Sequence, residues 1–361
     1  MLSTPLTFIE LSIVFIPILA IALAKLLHSD SQKLKVYLYG QWFAFALSIF
    51  GFAFYLLTPN QSFSSVMPTP FEIKIDFLAV CLTVLVTFIS SVVVAFSERY
   101  LLGTKTRTNF IQIVTLITPL ASLLVTSNNL ILCAICWHGI SLVLWKLIGL
   151  RAEARGQARV VLFHHLLSDA LMAIAVATLI YYCQTATITE LYTRSSVLEK
   201  QVFLFGTPLA VPLSSIVNLL LIISMSIKSA LFPFHRWLLA TLEAPTPLSG
   251  ILHAGVVNIS AIMAARLFPI LQESPSLLIL WGLFSAVSAV VGTLIMSTQS
   301  DVKRKLVYST VGQMGFMCLQ CASGLIPAAI FHLIAHGLFK CHLFLQSGSA
   351  VSEGRAKRQW G

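Results

Sequence analysis

Three titratable side chains lie at regular spacing in the apolar stretch FHLIAHGLFKCHLFL, residues 331–345. His332, His336 and Lys340 are each four residues apart, so a helix would place them along one face. Histidine changes its charge near neutral pH, and a line of such groups suits the transfer of protons. The structural alternative is that the three polar groups only pack this helix against its neighbours.

A second set of polar residues surrounds the motif IKSALFPFHRW, residues 227–237. Lys228 is expected deep inside an apolar helix, where burying a charge is costly and usually serves a function. Pro233 is expected to break that helix, because proline lacks an amide hydrogen and clashes with the preceding turn. His235 follows the break and is a possible relay residue. His253 opens the next apolar segment and is a candidate to take the proton onward, with a structural role as the alternative.

Carboxylates are few in the apolar segments. Asp169, in HHLLSDALMA, is the most deeply placed of them, and we expect it to be the counter-ion of a buried lysine. A carboxylate facing water at a helix end is the alternative for Asp169. His138 and Glu243 are further possible members of the relay; Glu243 lies in a loop, where a surface ion pair is the simpler interpretation.

The composition indicates a membrane protein with many spans. Of the 361 residues, 57% are hydrophobic and only 10% are charged, whereas soluble domains carry about 25% charged residues. The net charge of +10 comes from basic residues dispersed through short loops. This dispersal argues against binding of nucleic acid and fits the excess of Lys and Arg in cytoplasmic loops.

The hydropathy pattern predicts eleven spans of about 20 residues each. They are expected at 5–27, 38–58, 76–97, 108–127, 129–150, 160–183, 211–234, 246–268, 276–297, 305–323 and 325–348. Among the basic residues outside these spans, only Lys74, Arg194 and Lys200 fall in the even-numbered loops. The sequence therefore predicts an all-α protein with its N-terminus outside and its C-terminus, with a cytoplasmic tail at 349–361, inside.

No motif for catalysis or cofactor binding is recognisable. The pairs Cys133/Cys136 and Cys318/Cys321 lack a second pair or a histidine at zinc-ligand spacing and are interpreted as packing residues. We therefore expect no enzyme activity, no metal and no cofactor in this chain.

Three stretches together resemble the proton-translocating antiporter-like family: IKSALFPFHRWLLATLEAPTPLSGILHAG, DVKRKLVYSTVGQMGFM and IFHLIAHGLFKCHLFLQSGS. This family includes large membrane subunits of respiratory complex I, Mrp-type antiporter subunits and the membrane subunit of DAB inorganic carbon transporters. The resemblance implies that Lys228 is the broken-helix lysine of a first half-channel. It also implies that His253 is the histidine that follows this lysine, and that His332, His336 and Lys340 form the central relay to a second half-channel.

The resemblance implies an antiporter-like bundle with a broken seventh helix and a truncated second repeat. The expected organisation is three N-terminal spans at 1–107, a first repeat at 108–268 (spans four to eight) and a partial second repeat at 276–348. Where complex I subunits have a Trp-Glu dipeptide in the fifth span, this chain has Trp137-His138, so that Asp169 would have to replace the glutamate.

Span five and the basic loop RAEARGQAR look most like the DAB membrane subunit. The expected function is a proton- or cation-conducting subunit that couples an ion gradient to uptake of carbon dioxide or bicarbonate. The expected partner is a large soluble subunit of carbonic-anhydrase type that holds the zinc. The alternatives are a proton-pumping subunit of an NADH-quinone oxidoreductase and an Mrp-type cation/proton antiporter, with the corresponding membrane subunits as partners. In each case the expected location is the bacterial inner membrane.

Overall fold

The computed structural model describes residues 5–58, 63–65, 72–203, 210–242 and 244–359 of the chain. These residues form an all-helical bundle with two small antiparallel strand pairs. The helices are α1 (Pro5–Lys25), α2 (Asp30–Leu57), α3 (Phe77–Tyr100), α4 (Arg107–Thr115), α5 (Ile117–Thr126), α6 (Leu130–Ile148), α7 (Arg155–Cys183), α8 (Ile188–Thr193), α9 (Leu213–Lys228), α10 (Arg236–Leu239), α11 (Thr246–Ala254), α12 (Ile259–Leu271), α13 (Pro275–Thr298), α14 (Val302–Ala322) and α15 (Ile326–Gln359). The strand pairs are β1 (Phe63–Ser65) with β2 (Ile73–Ile75), and β3 (Gln201–Phe203) with β4 (Ala210–Pro212).

Each of the eleven predicted spans coincides with helical structure. Within the described residues, nine helical segments are long and apolar enough to cross a membrane. Of the remaining two, α9 has only 16 residues, and α14 begins with a basic run, Lys303–Lys305. The prediction of a polytopic helical membrane protein is thus confirmed.

The expected break at Pro233 is wrong in position, because α9 already ends at Lys228. The chain leaves the helix through Ala230, whose φ of 53° is left-handed. The amide of Leu231 donates to the Ser226 carbonyl at 3.0 Å, and the amide of Ala230 donates to the Ile227 carbonyl at 3.0 Å. These two bonds form a Schellman motif, which is the usual way to close a helix at a left-handed residue. Lys228 is therefore the last residue of the helix and does not lie within it.

Two further spans are interrupted, which the sequence pattern did not predict. The fourth span divides into α4 and α5 at Leu116. The eighth divides into α11 and α12 around a short 3₁₀ turn, Val256–Asn258. His253 consequently lies near the end of α11, at the interruption, whereas the sequence placed it at the start of a span.

Close helix contacts fix the position of α14. A Cβ atom added to Gly292 on α13 would lie 2.5 Å from the amide nitrogen of Gly312 on α14. A Cβ on Gly315 would lie 2.5 Å from the amide nitrogen of Ala289. Small residues allow helix backbones to approach in this way in membranes. The contact holds α14 closely against α13.

An ion pair joins α12 to the start of α3. Asp76 caps α3 by accepting a hydrogen bond from the Ala79 amide at 2.9 Å. Arg266 on α12 donates to both oxygens of the same carboxylate and to the Val125 carbonyl at 2.7 Å. The side chain of Arg266 is buried, so this pair fixes one end of the bundle.

The last predicted span, 325–348, agrees with the apolar part of α15, Ile326–Gly348. The backbone of α15 stays helical to Gln359, beyond the expected end of the last span at residue 348. The expected boundaries between the N-terminal spans and the two repeats stay predictions.

Candidate proton-relay site

Lys228 is completely buried at the C-terminal end of α9. Its Nζ donates to the Asp169 carboxylate (Oδ1) at 2.8 Å and to the Trp137 carbonyl at 2.6 Å. The ammonium also lies 4.1 Å from the centre of the Trp137 ring. A carboxylate, a carbonyl, an aromatic face and a helix C-terminus each favour a positive charge. Their convergence on Lys228 offsets the cost of removing the ammonium from water.

Asp169 on α7 connects the buried lysine to a more exposed histidine. Its Oδ1 accepts from Lys228 and from the Ser141 hydroxyl at 3.1 Å, and its Oδ2 lies 2.9 Å from His138 Nδ1. The side chain of Asp169 is 7% exposed, whereas that of His138 is 45% exposed. The sequence placed His138 only among the possible residues, but the structure puts it in direct contact with the carboxylate. The three side chains form a continuous polar path from the core to the surface of the chain.

His165 belongs to the same cluster, although the sequence analysis did not select it. The residue is fully buried on α7, with Nδ1 3.3 Å from the Ser141 hydroxyl. Its ring lies edge to face against Trp237, with the centroids 4.5 Å apart. His165 precedes Asp169 by four residues, so the two share one helix face, and this spacing was an available signal.

A second cluster forms where α11, α14 and α15 meet. His253 is buried, with Nδ1 3.1 Å from the Thr310 hydroxyl and its ring stacked on Phe344 at 4.2 Å. Thr310 Oγ1 and Lys340 Nζ both donate to the Leu306 carbonyl, at 3.0 and 3.1 Å. His253 and Lys340 therefore join one hydrogen-bonded group through Thr310, a residue that the sequence analysis missed.

His336 and His332 extend this second cluster along α15. His336 is buried, and neither of its ring nitrogens has a hydrogen-bond partner among the described residues. The His332 ring lies 6.1 Å from it, centroid to centroid. His332 contacts Gln320 (Nδ1 to Oε1, 3.0 Å) and Gln313 (Nε2 to Oε1, 2.9 Å). The predicted spacing on α15 thus produces a row of polar groups that ends at a half-exposed histidine held by two glutamines.

A short interval around the break after α9 separates the two clusters. Ser229, the residue after Lys228, donates to the Val257 carbonyl at 3.4 Å, and Cys318 Sγ lies 3.9 Å from the same hydroxyl. Asn258 donates to the Ala254 carbonyl at 2.7 Å, while its own side-chain oxygen has no partner among the described residues. In the described part of the chain, hydrogen bonds do not run from one cluster to the other.

The remaining predicted residues lie outside both clusters. His235 is half-buried after the helix break, with its ring stacked on Phe232 at 5.3 Å and 5.9 Å from the Tyr308 ring. Glu243 lies outside the described residues. Across the ranges that the structure describes, no group of three or more His, Cys, Asp or Glu side chains could hold a metal ion. The cysteines of both CxxC pairs are buried free thiols.

This fold and this placement of polar residues are those of an antiporter-like membrane subunit. The chain belongs to the family described as "NADH:quinone oxidoreductase/Mrp antiporter, TM", whose model matches residues 127–360. The match covers more than half of the chain and includes both clusters. The family is one of antiporter-like membrane subunits, which serve transport.

Individual relatives fall into more than one branch of this family. The chain is 34% identical to the "Probable inorganic carbon transporter subunit DabB1" of Halothiobacillus neapolitanus, over 79% of this chain and 50% of that protein. It is 34% identical to the chloroplastic "NAD(P)H-quinone oxidoreductase subunit 5" of Chaetosphaeridium globosum, over 77% of this chain and 41% of that protein. The chain thus spans about half the length of the curated relatives it matches.

A solved structure supports the fold. The Mrp complex from Dietzia sp. DQ12-45-1b superposes with a TM-score of 0.77 and 24% identity, covering 96% of this chain and 37% of the matched chain. At this identity the likeness supports the fold alone.

Proposed function

We propose that this chain conducts protons, or another monovalent cation, and couples an ion gradient to the uptake of inorganic carbon by a partner subunit. The observation that carries the proposal is the buried ion pair of Lys228 and Asp169, which opens to the surface through His138. An ion pair inside an apolar bundle stabilises a fold poorly, because desolvation offsets most of its attraction. Its retention at the end of a broken helix supports a role in moving charge.

Each cluster supplies groups that can gain and lose a proton in turn. In the first, once Lys228 has released its own proton, a proton on His138 can pass to Asp169 and on to the neutral lysine, since both contacts are below 3 Å. In the second, His253, His336 and Lys340 lie around the Thr310 and Leu306 groups and lead to His332. Proton transfer between the clusters requires movement or water near Ser229 and Asn258. Transfer across this interval would therefore limit the overall rate.

Inorganic carbon uptake is favoured by the relatives and by the fifth span. The relative from Halothiobacillus neapolitanus bears the name of a carbon transporter subunit. Hydration of carbon dioxide yields bicarbonate and one proton, so a path that removes the proton would draw the reaction forward. The proposed partner is a large soluble subunit of carbonic-anhydrase type, which would hold the zinc and perform this hydration.

A proton-pumping subunit of a complex I-like assembly, or an Mrp-type antiporter subunit, is the second candidate. The match to a quinone oxidoreductase subunit over 77% of this chain favours it. In that case the partners would be other membrane subunits, and translocation would depend on quinone chemistry or on sodium. For either candidate we propose a bacterial inner membrane, with the N-terminus outside and the C-terminus in the cytoplasm.

The test is growth of a bacterial host that lacks carbonic anhydrase and therefore needs added carbon dioxide. The full chain is expressed together with a soluble subunit of carbonic-anhydrase type, which is the proposed partner. Growth in air is expected with the wild-type chain and is expected to be lost with Lys228→Met. Lys146→Met is the matched control, because Lys146 is an exposed lysine of α6.

Two outcomes would contradict the proposal. Growth in air with Lys228→Met, at equal amounts of protein in the membrane, would mean that the chain only anchors its partner. Failure of the wild-type pair to support growth, together with quinone-dependent or sodium-dependent proton movement in vesicles, would favour the second candidate.

A further inference from the structure

A basic cleft lies at the ends of α7, α10 and α14, apart from the two relay clusters. It has a volume of about 850 Å³ and is lined by Arg159 and His164 of α7, by Arg236 of α10 and by Arg304 and Tyr308 of α14. These residues come from three different odd-numbered loops or the adjoining helix turns. Their presence in one cleft supports the prediction that these loops share one side of the membrane.

Among the described residues, the arginine side chains of the basic cleft form no ion pair, and the nearby Asp301 carboxylate accepts from the backbone amide of Arg304. In the part of the chain that the structure describes, no hydrogen bond or ion pair involves the guanidinium groups of Arg159, Arg236 or Arg304. Arg266, which is buried, is by contrast paired with Asp76. Like charges gathered in one cleft repel one another, and an anion bound between them would offset that repulsion.

One wall of the basic cleft is apolar and exposed. Val160 and Phe163 line the same cleft, with 42% and 69% of their surface exposed. Further along α7, Leu167 and Ile174 are also exposed. An anion with apolar chains would place its charge among the arginines and its chains along α7. A small free anion would fill the charged part of the cleft without contacting this apolar wall.

We propose that the basic cleft binds the phosphate group of an anionic phospholipid, with the acyl chains along the exposed face of α7. Basic pockets between helices on the cytoplasmic side of a membrane are suited to such head groups. Arg236 follows directly on His235, whose ring contacts Tyr308 of the same cleft. The bound phosphate would therefore lie beside the segment that connects the end of α9 to the membrane surface.

The test measures lipid selectivity of the purified full chain. The chain is placed in lipid bilayer discs of phosphatidylcholine that contain spin-labelled phosphatidylglycerol or spin-labelled phosphatidylcholine. The immobilised fraction of each label reports binding. The wild-type chain is expected to select phosphatidylglycerol, and replacing one arginine (Arg159→Gln, Arg236→Gln or Arg304→Gln) is expected to weaken its binding about fivefold.

Two variants serve as controls for this experiment. Arg155→Gln removes the same charge from an exposed arginine of the neighbouring turn that does not line the cleft, and it is expected to leave selectivity unchanged. Replacing the three cleft arginines by lysine keeps the charge and is expected to retain most of the selectivity. Retained selectivity in this second variant would also show that substitutions at these three positions do not unfold the chain.

Three results would overturn the proposal. One is equal loss of selectivity with Arg155→Gln, which would indicate a general effect of charge. Another is unchanged selectivity when all three cleft arginines are glutamine in a folded chain. The third is displacement of the labelled lipid by millimolar inorganic phosphate or bicarbonate, which would identify a site for a free anion.

Discussion

Replacing Asp169 by asparagine would leave Lys228 buried without its counter-charge. The amide has nearly the shape of the carboxylate, so packing is preserved while the charge is lost. At the 2.8 Å separation of the pair, the attraction at an effective dielectric constant of 20 is about 6 kcal/mol. Desolvation offsets part of this energy, and removal of one partner of a buried pair typically costs about 3–5 kcal/mol.

Asp169→Asn is expected to slow proton transfer as well as to destabilise the fold. If 3 kcal/mol of the lost interaction appears in the transfer barrier, the rate falls about 100-fold. The assay reconstitutes the full chain in liposomes with a pH-sensitive dye inside and drives proton entry with a potassium diffusion potential. Asp30→Asn is the control, because the side chain of Asp30 is 70% exposed on the surface.

A double variant separates the loss of stability from the loss of transfer. Asp169→Asn combined with Lys228→Met removes both charges, and it is expected to recover most of the unfolding free energy without recovering proton entry. If Asp169→Asn alone keeps both wild-type stability and wild-type proton entry, the interpretation of this ion pair as a relay element is wrong.

Three further predictions concern the path and the bundle. His138→Gln is expected to change the unfolding free energy by less than about 1 kcal/mol, because the imidazole is half-exposed, and yet to lower proton entry in the same liposomes. Gly292→Ala is expected to destabilise by about 1–3 kcal/mol in thermal unfolding, because its Cβ would overlap the backbone of α14, whereas Gly156→Ala meets open space and should be neutral. Arg266→Lys is expected to cost about 2 kcal/mol, since lysine cannot contact both oxygens of Asp76.

Specific results would contradict each of these expectations. Proton entry at the wild-type rate in His138→Gln would mean that protons reach the carboxylate by another route. Equal melting temperatures for the two glycine variants would show that the close helix approach is absent. An unchanged melting temperature in Arg266→Lys would show that charge alone, without the paired geometry, holds that end of the bundle.

The spans were predictable because their signal is coarse. About 20 apolar residues between polar loops suffice to identify a membrane helix, and all eleven expected segments are helical. The partner of Lys228 could also be predicted, because few carboxylates lie inside apolar segments and Asp169 is the most deeply placed of them. For this pair, a position far from the polar loops correctly indicated burial in the bundle.

The helix ends were not predictable from the same signals. Pro233 is a strong helix breaker, but α9 ends earlier because Ala230 adopts a left-handed conformation that usually needs glycine. The break between α11 and α12 begins at Gly255, yet a lone glycine inside an apolar segment is an ambiguous signal. Local sequence does not reveal such conformations when contacts with neighbouring helices impose them.

The hydroxyl and amide groups of the site were the hardest to foresee. Thr310 and Ser141 are common residues in membrane helices, and only the packing of distant segments shows that they connect His253 and His165 to their clusters. Such residues carry no charge that would mark them in an apolar sequence.

Because Lys228 is the final residue of α9, its charge affects the stability of the turn that closes this helix. The carbonyl groups at a helix C-terminus carry a partial negative charge that a nearby cation compensates. When the ammonium loses its proton, that compensation ends, and the closing turn from Ser226 to Leu231 becomes easier to unwind. Each departing proton would therefore make the residues that lead to His235 more mobile. Loss of a proton in the core would in this way increase the mobility of the backbone near the membrane surface.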